Sequence, residues 1–327
     1  MRYLLGIAII LTATVCRAET PLSWASDEGS LSLLHGQDIV WRFNFGSQLS
    51  KPYFHPLKLP GGKSLTWESP PDHPWHYGLW FSWKYINGVN YWEENHQTHL
   101  SDGLTTWGDV TVKQNPDFSA RFELDLKYHL ADQPPVLSEH RVIDVSVPDS
   151  DGQYTIDWAS TFTAQAEQVT LDRTPLPNEP GGQPSGGYAG LSVRLAKAAS
   201  QFKVTASEQA VNEQSSKDQP ERMRFRAHAA DYSGSLDGKE GGITIIDDPQ
   251  NANAPTPWYV IRNTKAPMTF FSPTVIQLAP MTLAPGDSFR LHYQIKVHIG
   301  PSPLLPSSTD PLTGTLTDTL HDRSQPE

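Results

Sequence analysis

Residues 121–130 read RFELDLKYHL, in which Phe122, Leu124, Leu126, Tyr128 and Leu130 alternate with Arg121, Glu123, Asp125, Lys127 and His129. Side chains along an extended backbone point alternately to opposite faces, so this pattern describes a strand with one buried and one wet face. Residues 289–299 repeat it, with Phe289, Leu291, Tyr293, Ile295, Val297 and Ile299 between Arg290, His292, Gln294, Lys296 and His298. Further strands are expected at 39–45, 78–85, 142–147, 154–164, 191–195, 243–246 and 258–262. Turn-forming runs such as Pro60-Gly61-Gly62, Asp149-Ser150-Asp151-Gly152 and Ala284-Pro285-Gly286-Asp287 separate them. No amphipathic helix of ordinary length is legible. So many one-sided strands bury their apolar faces by pairing, and the expected fold is all-β, a single large antiparallel β-sandwich of about a dozen strands or more.

Charge narrows the partners. The 327 residues hold 25 Lys and Arg against 36 Asp and Glu, a net charge of -11. A surface of that sign repels phosphate polyanions, which argues against nucleic acid and against anionic membrane. Residues 1–18 combine Arg2, an apolar run and Cys16-Arg17-Ala18, the make-up of a cleavable signal peptide. The expected organisation is a signal peptide at 1–18, a β-sandwich domain at 19–300, and a disordered Pro/Ser/Thr-rich tail at 301–327. The product is expected outside the cytoplasm, periplasmic or extracellular, with no membrane contact once the leader is removed. Cys16 is the one cysteine, so a cleaved chain has no disulfide and no thiolate nucleophile. The alternative is a lipid anchor on Cys16. Two polar, Pro- and Gly-rich loops, 175–187 and 207–222, interrupt the strands, and the first is placed to drape over a cleft or to lie plainly on the surface.

Chemistry concentrates between residues 51 and 107, which hold six of the ten Trp (Trp67, Trp75, Trp80, Trp83, Trp92, Trp107) and five of the twelve His (His55, His73, His76, His96, His99). Indoles beside polar groups suit a half-open cleft with flat apolar walls, the shape that matches a pyranose ring. Within this block Asp72-His73-Pro74-Trp75-His76-Tyr77-Gly78 is the sharpest feature. Pro74 at the second position of a β-turn brings His73 and His76 together. Alternation then assigns Leu79, Phe81, Trp83 and Tyr85 to the core, and His76, Trp80, Ser82 and Lys84 to the cleft. Histidine takes and gives a proton near neutral pH, so His73 and His76 are expected as an acid/base pair. The alternatives are hydrogen bonding within the turn, or a metal site completed by a third His, for which no ligand spacing is recognisable. No cofactor and no metal is expected.

Other candidates lie elsewhere. Glu139 and His140 are further catalytic candidates. His55, Trp75, Tyr77, Trp80, Trp92, Arg141, Arg194 and Trp258 are candidates for holding the substrate. The charged members also fit strand-surface ion pairs, and Trp258 fits an ordinary core position.

Residues 51–57 (KPYFHPL), Pro60-Gly61-Gly62, DHPWHYGLWF at 72–81, Asn87-Gly88, Tyr91-Trp92 and the closing LAPGD at 283–287 resemble a largely uncharacterised bacterial family that carries the label methane oxygenase PmoA. Its usual block is DHPHHRGLWF, and here Trp75 stands for a His and Tyr77 for an Arg. A membrane subunit of an oxygenase needs several apolar helices of about 20 residues, and this chain has only its leader, so the label is set aside. The resemblance implies an exported sandwich similar to the galactose-mutarotase or sugar-binding supersandwich, in which paired His and an acid work on a sugar ring. The function expected is a carbohydrate-active enzyme acting on plant or algal oligosaccharides by elimination, hydrolysis or epimerisation. Its rivals are a non-catalytic glycan-binding module and a metal-dependent hydrolase.

Overall fold

Alternating residues of the expected strands do divide between two faces. The structure, a computed structural model, describes residues 21–59, 61–207, 221–263 and 265–304. The leader with Cys16, Pro60, most of the 207–222 loop and the tail from 305 lie outside the described residues.

Among the described residues, all strand pairs are antiparallel and form two nine-stranded sheets and one of four strands. The first sheet runs Leu22–Asp27, Ser30–His35, Asp38–Asn44, Tyr53–Leu57, Leu79–Ser82, Gly190–Arg194, Met268–Pro273, Pro257–Asn263, Arg222–Arg226. The second runs Lys203–Ala206, Ala229–Leu236, Lys239–Asp247, Ser288–Ile299, Tyr154–Ala164, Leu137–Val145, Ala120–His129, Leu104–Trp107, with Thr111–Gln114 also on Ala120–His129. The small sheet joins Met281–Leu283, Val169–Asp172, Tyr85–Ile86 and Val89–Asn90. The described helix is a single 3-10 turn, Lys197–Gln201.

The strand expected at 78–85 is two. Leu79–Ser82 stays in the large sheet, while Tyr85–Ile86 turns through Asn87 and Gly88, both at positive φ, into a two-residue hairpin of the small sheet. Alternation survives in detail. Trp41, Phe43, Phe54, Leu79, Phe81 and Phe271 of the first sheet share one core with Phe122, Leu124, Trp158 and Ile295 of the second. Ile299, expected on the apolar face, is exposed at the end of its strand.

The first sheet is apolar on its other face too. Tyr53, Trp80, Tyr259, Ile261 and Phe270 join Trp92 in a second buried cluster there. Phe270 and Phe271 are both buried, one on each face, and each contributes about 1.5–3 kcal/mol by leaving water. This second cluster is the platform for the site.

Candidate functional site

The site is built by two tight turns. Ser69 N–H donates to the His76 carbonyl at 2.8 Å, His73 N–H to Pro70 at 3.0 Å and His76 N–H to His73 at 3.0 Å. The last bond is the turn expected around Pro74. Its effect is to stack the two imidazoles, with centroids 4.7 Å apart and planes inclined by 27°. The pile continues downward: His76 lies 4.9 Å from Trp80 and 5.5 Å from Phe270, with the Trp92 edge at 6.3 Å. Gly78, at φ +81°, lets the chain leave this turn and enter the sheet, and a Cβ there would fall 2.5 Å from the Phe54 carbonyl oxygen.

The two rings live in different surroundings. His76 is 3% exposed, and burial holds its pKa well below the ordinary value, with His73, Arg194 and Lys51 adding to the effect. It is neutral near pH 7. Its Nδ1 is sealed without a partner, and Nε2 has no protein partner either. The His73 side chain is 36% exposed and has its edge to Trp75 at 5.6 Å. Its Nδ1 lies 3.0 Å from Asp72 Oδ2. Arg194 Nη2 donates to both Asp72 oxygens at 2.9 and 2.8 Å, and to the Pro267 carbonyl at 3.2 Å. The guanidinium sits over the Trp67 ring at 5.3 Å and touches Met268 Sδ. Burial pushes the Asp72 carboxyl up, but the bonds from Arg194 and His73 outweigh it and hold the pKa below the usual value. With Asp72 ionised, its oxygen accepts and His73 Nδ1 donates, which leaves His73 Nε2 as the acceptor.

The two imidazoles line a cavity of about 230 Å³ with Trp75, Trp92, Glu93, Ser185, Tyr188, Tyr259, Ile261, Met268 and Phe270. Glu93 is bound by Lys84 and accepts from the Tyr188 hydroxyl at 2.7 Å. Burial, then Glu93, raises the Tyr188 pKa, so the phenol keeps its proton. Behind the wall Glu94 accepts from Lys51 at 2.8 Å and from the Tyr77 hydroxyl at 2.5 Å. Among the described residues no three His, Cys, Asp or Glu side chains are grouped as metal ligands would be.

Residues 30–303 match a family of unknown function, DUF6807. The chain belongs to that family. No curated protein matches it. Similar solved structures include the GH36 α-galactosidase of Geobacillus stearothermophilus, at 8% identity and TM-score 0.42, covering 85% of this chain and 40% of that one. The α-galactosidase of Lactobacillus brevis follows at 9% identity and TM-score 0.33, covering 84% of this chain and 39% of that one. A galactose mutarotase related enzyme from Lactobacillus acidophilus, at 11% identity and TM-score 0.27, covers 85% of this chain and 97% of that one. This chain therefore spans about two fifths of either α-galactosidase.

Of the residues singled out in this DUF6807 sequence, His73, His76, Trp75 and Trp92 meet in the cavity. Trp80 is not an open wall: it is fully buried beneath His76 and serves as a floor. Arg194 acts on Asp72, and Tyr77 packs on Tyr53 at 4.8 Å while bonding Glu94. His55 is apart, with Nδ1 3.0 Å from Thr66 Oγ1 and Nε2 4.0 Å from Glu68, outside the cavity lining. Glu139 and Arg141 face the inside of the sandwich, where Tyr128 and Ser160 complete the hydrogen bonding of the Glu139 carboxylate. His140, one residue between them, points the other way and pairs with the exposed Asp125 at 2.8 Å. Trp258 is a core tryptophan, donating to the Ala227 carbonyl at 2.9 Å. Seven lining residues were not anticipated: Glu93, Ser185, Tyr188, Tyr259, Ile261, Met268 and Phe270. The signal for Glu93 was its place beside Trp92, and for Ser185 and Tyr188 their place in and after the 175–187 loop.

Proposed function

We propose that the protein is an exported carbohydrate-active enzyme that performs proton transfer, as epimerisation or elimination, on a sugar ring held against Trp75, Trp92 and Tyr259. One observation supports it above the others: a stacked His pair at an aromatic cavity, with one imidazole backed by a carboxylate and the other kept neutral. His73, oriented through Nδ1 by Asp72, presents Nε2 as the base and returns the proton as imidazolium. The carboxylate of Asp72 offsets the positive charge that His73 gains. His76 offers a hydrogen bond to a sugar oxygen without adding charge to the cavity.

Size and charge sharpen the reading. The volume of about 230 Å³ lies below the ~300–1,000 Å³ usual for small-molecule pockets, so the cavity takes one ring and further units run outward. Glycoside hydrolysis calls for two carboxyl groups about 5–9.5 Å apart across the bond. Among the described residues Glu93 is the carboxylate that lines the cavity, and it is held by Lys84 and Tyr188. Proton transfer is therefore favoured over hydrolysis.

The test is a panel of aldoses and oligosaccharides, followed by proton NMR for epimers and solvent exchange and by absorbance for new double bonds. Turnover is expected on at least one member, and His73→Ala and His76→Phe should each lower it by about 100-fold or more with an unchanged circular dichroism spectrum. Saturable binding without product across the panel would replace this reading by the glycan-binding module. Both variants turning over at the wild-type rate would remove the pair from the mechanism.

A further inference from the structure

The aromatic cavity opens past His73 into a second space. His73, Ser185, Ile261 and Met268 border both, and the adjoining groove, about 480 Å³, is otherwise lined by Trp67, Asp72, Lys197 and Arg222 with Pro71, Ala266 and Pro267. Its charge is one-sided. The Asp72 carboxylate is already engaged by Arg194 and His73. Lys197 and Arg222 form no ion pair with any described carboxylate. In a chain with 36 acidic and 25 basic residues, two uncompensated cations beside a sugar-sized cavity run against the composition.

The sheet explains why Arg222 is aimed there. Arg222 faces Ile261 across the strand pair and Arg224 faces Tyr259, so both guanidinium side chains lie on the face that carries the cavity. Their duties differ. Arg224 lies over the Tyr259 ring at 4.9 Å and spends its Nη2 on the Pro184 and Gly186 carbonyls at 3.0 and 2.7 Å, tying down the loop that contributes Ser185. Arg222 makes no such carbonyl bonds, and its Nε, like that of Arg224, is sealed without a partner. A buried donor of this kind is costly unless a ligand satisfies it. A guanidinium fork and a lysine ammonium on one groove match a planar or tetrahedral oxyanion.

We propose that this groove is an anion subsite, in which Arg222 and Lys197 hold an acidic substituent of the saccharide whose reacting ring sits between Trp75 and Trp92. The ligand is thus an acidic glycan bearing carboxylate or sulfate. The inference rests on the reading of the cavity as a sugar site. It adds a charge requirement that the cavity itself does not impose.

Calorimetric titration of the full-length protein tests it, using oligomers of galacturonate, glucuronate and mannuronate, their methyl esters, a sulfated galactan oligosaccharide, and neutral galactose and mannose oligomers. At least one acidic probe should bind tenfold or more tighter than its neutral counterpart, and the advantage should shrink as salt is added. Arg222→Met and Lys197→Met should each remove most of that advantage while leaving the affinity for the neutral probe and the circular dichroism spectrum unchanged. A preference for uronates over the sulfated galactan identifies the carboxylate, and the reverse identifies the sulfate. Equal affinity for acidic and neutral probes, or a preference untouched by Arg222→Met, overturns the anion subsite and leaves the sugar cavity standing. Binding of none of the probes overturns both.

Discussion

Two carboxylate–guanidinium pairs in this molecule have similar chemistry and opposite surroundings. Glu139 and Arg141 lie inside the sandwich with side chains almost wholly buried. Glu139 accepts from Arg141 Nε and Nη2 at 2.6 and 2.9 Å, from Ser160 at 2.6 Å and from Tyr128 at 2.5 Å. Nothing of that carboxylate is left for a ligand. Asp72 and Arg194 form the open counterpart: the arginine is buried, but 43% of the Asp72 side chain is exposed, and one of its oxygens passes to His73. The difference teaches that an ion pair becomes chemistry when part of its capacity is handed to a group that faces solvent. A closed pair of the same kind is structure.

The largest effect expected from breaking this contrast is on stability. Glu139→Ala should cost about 3–5 kcal/mol, because it strands a buried guanidinium, and urea melts would show it as a lower midpoint. Turnover per folded molecule should stay unchanged. A cost below about 1 kcal/mol would mean that the pair is not closed. Asp72→Asn comes next: it should lower turnover roughly 10- to 100-fold through loss of His73 orientation, yet cost less stability than Glu139→Ala, since asparagine keeps a side-chain oxygen for the Arg194 guanidinium and the Asp72 side chain is partly in water. Wild-type turnover in that variant would make Asp72 as inert as Glu139.

The smallest effect is a slope in pH. An unfolded-state His76 titrates near its ordinary value of 6.5, while burial keeps the folded-state pKa well below it. Above that ordinary value both states are neutral and this group contributes no pH dependence. As the pH falls below it, the unfolded chain takes up a proton that the folded chain refuses, so stability drops by up to about 1.4 kcal/mol per pH unit until the folded value is reached. Urea melts between about pH 7 and pH 5 should show this acid-side loss, and His76→Phe should flatten it. An equal slope in wild type and variant would place its origin elsewhere.

How much of this was legible in the sequence depends on where the partners lie. Strands such as Ala120–His129 and Ser288–Ile299 announce themselves because one face is wet, so polarity alternates. Met268–Pro273 was missed for the opposite reason: Phe270 and Phe271 are buried on opposite faces, and an apolar run with no period reads equally as many things. The approach of His73 to His76 was readable because one proline within four residues sets it, whereas the stacking of their rings was not. Glu93 was not, because its hydroxyl donor, Tyr188, lies 95 residues away in sequence. Glu139 and Arg141 looked like candidates since charge in a strand does not say which face it takes. Only their partners on neighbouring strands, Tyr128 and Ser160, close that question.

The strands Leu79–Ser82 and Met268–Pro273 send alternate residues to the interior and to the cavity, with Leu79 and Phe271 on one side and Trp80 and Phe270 on the other. The bottom of the pocket is thus the reverse side of the scaffold and has no freedom to drift on its own. Whatever diversity of ligand this architecture tolerates must be written in its rim, in the turns between Ser69 and His76 and the segment Arg224 fastens, where residues can change without disturbing the layers underneath.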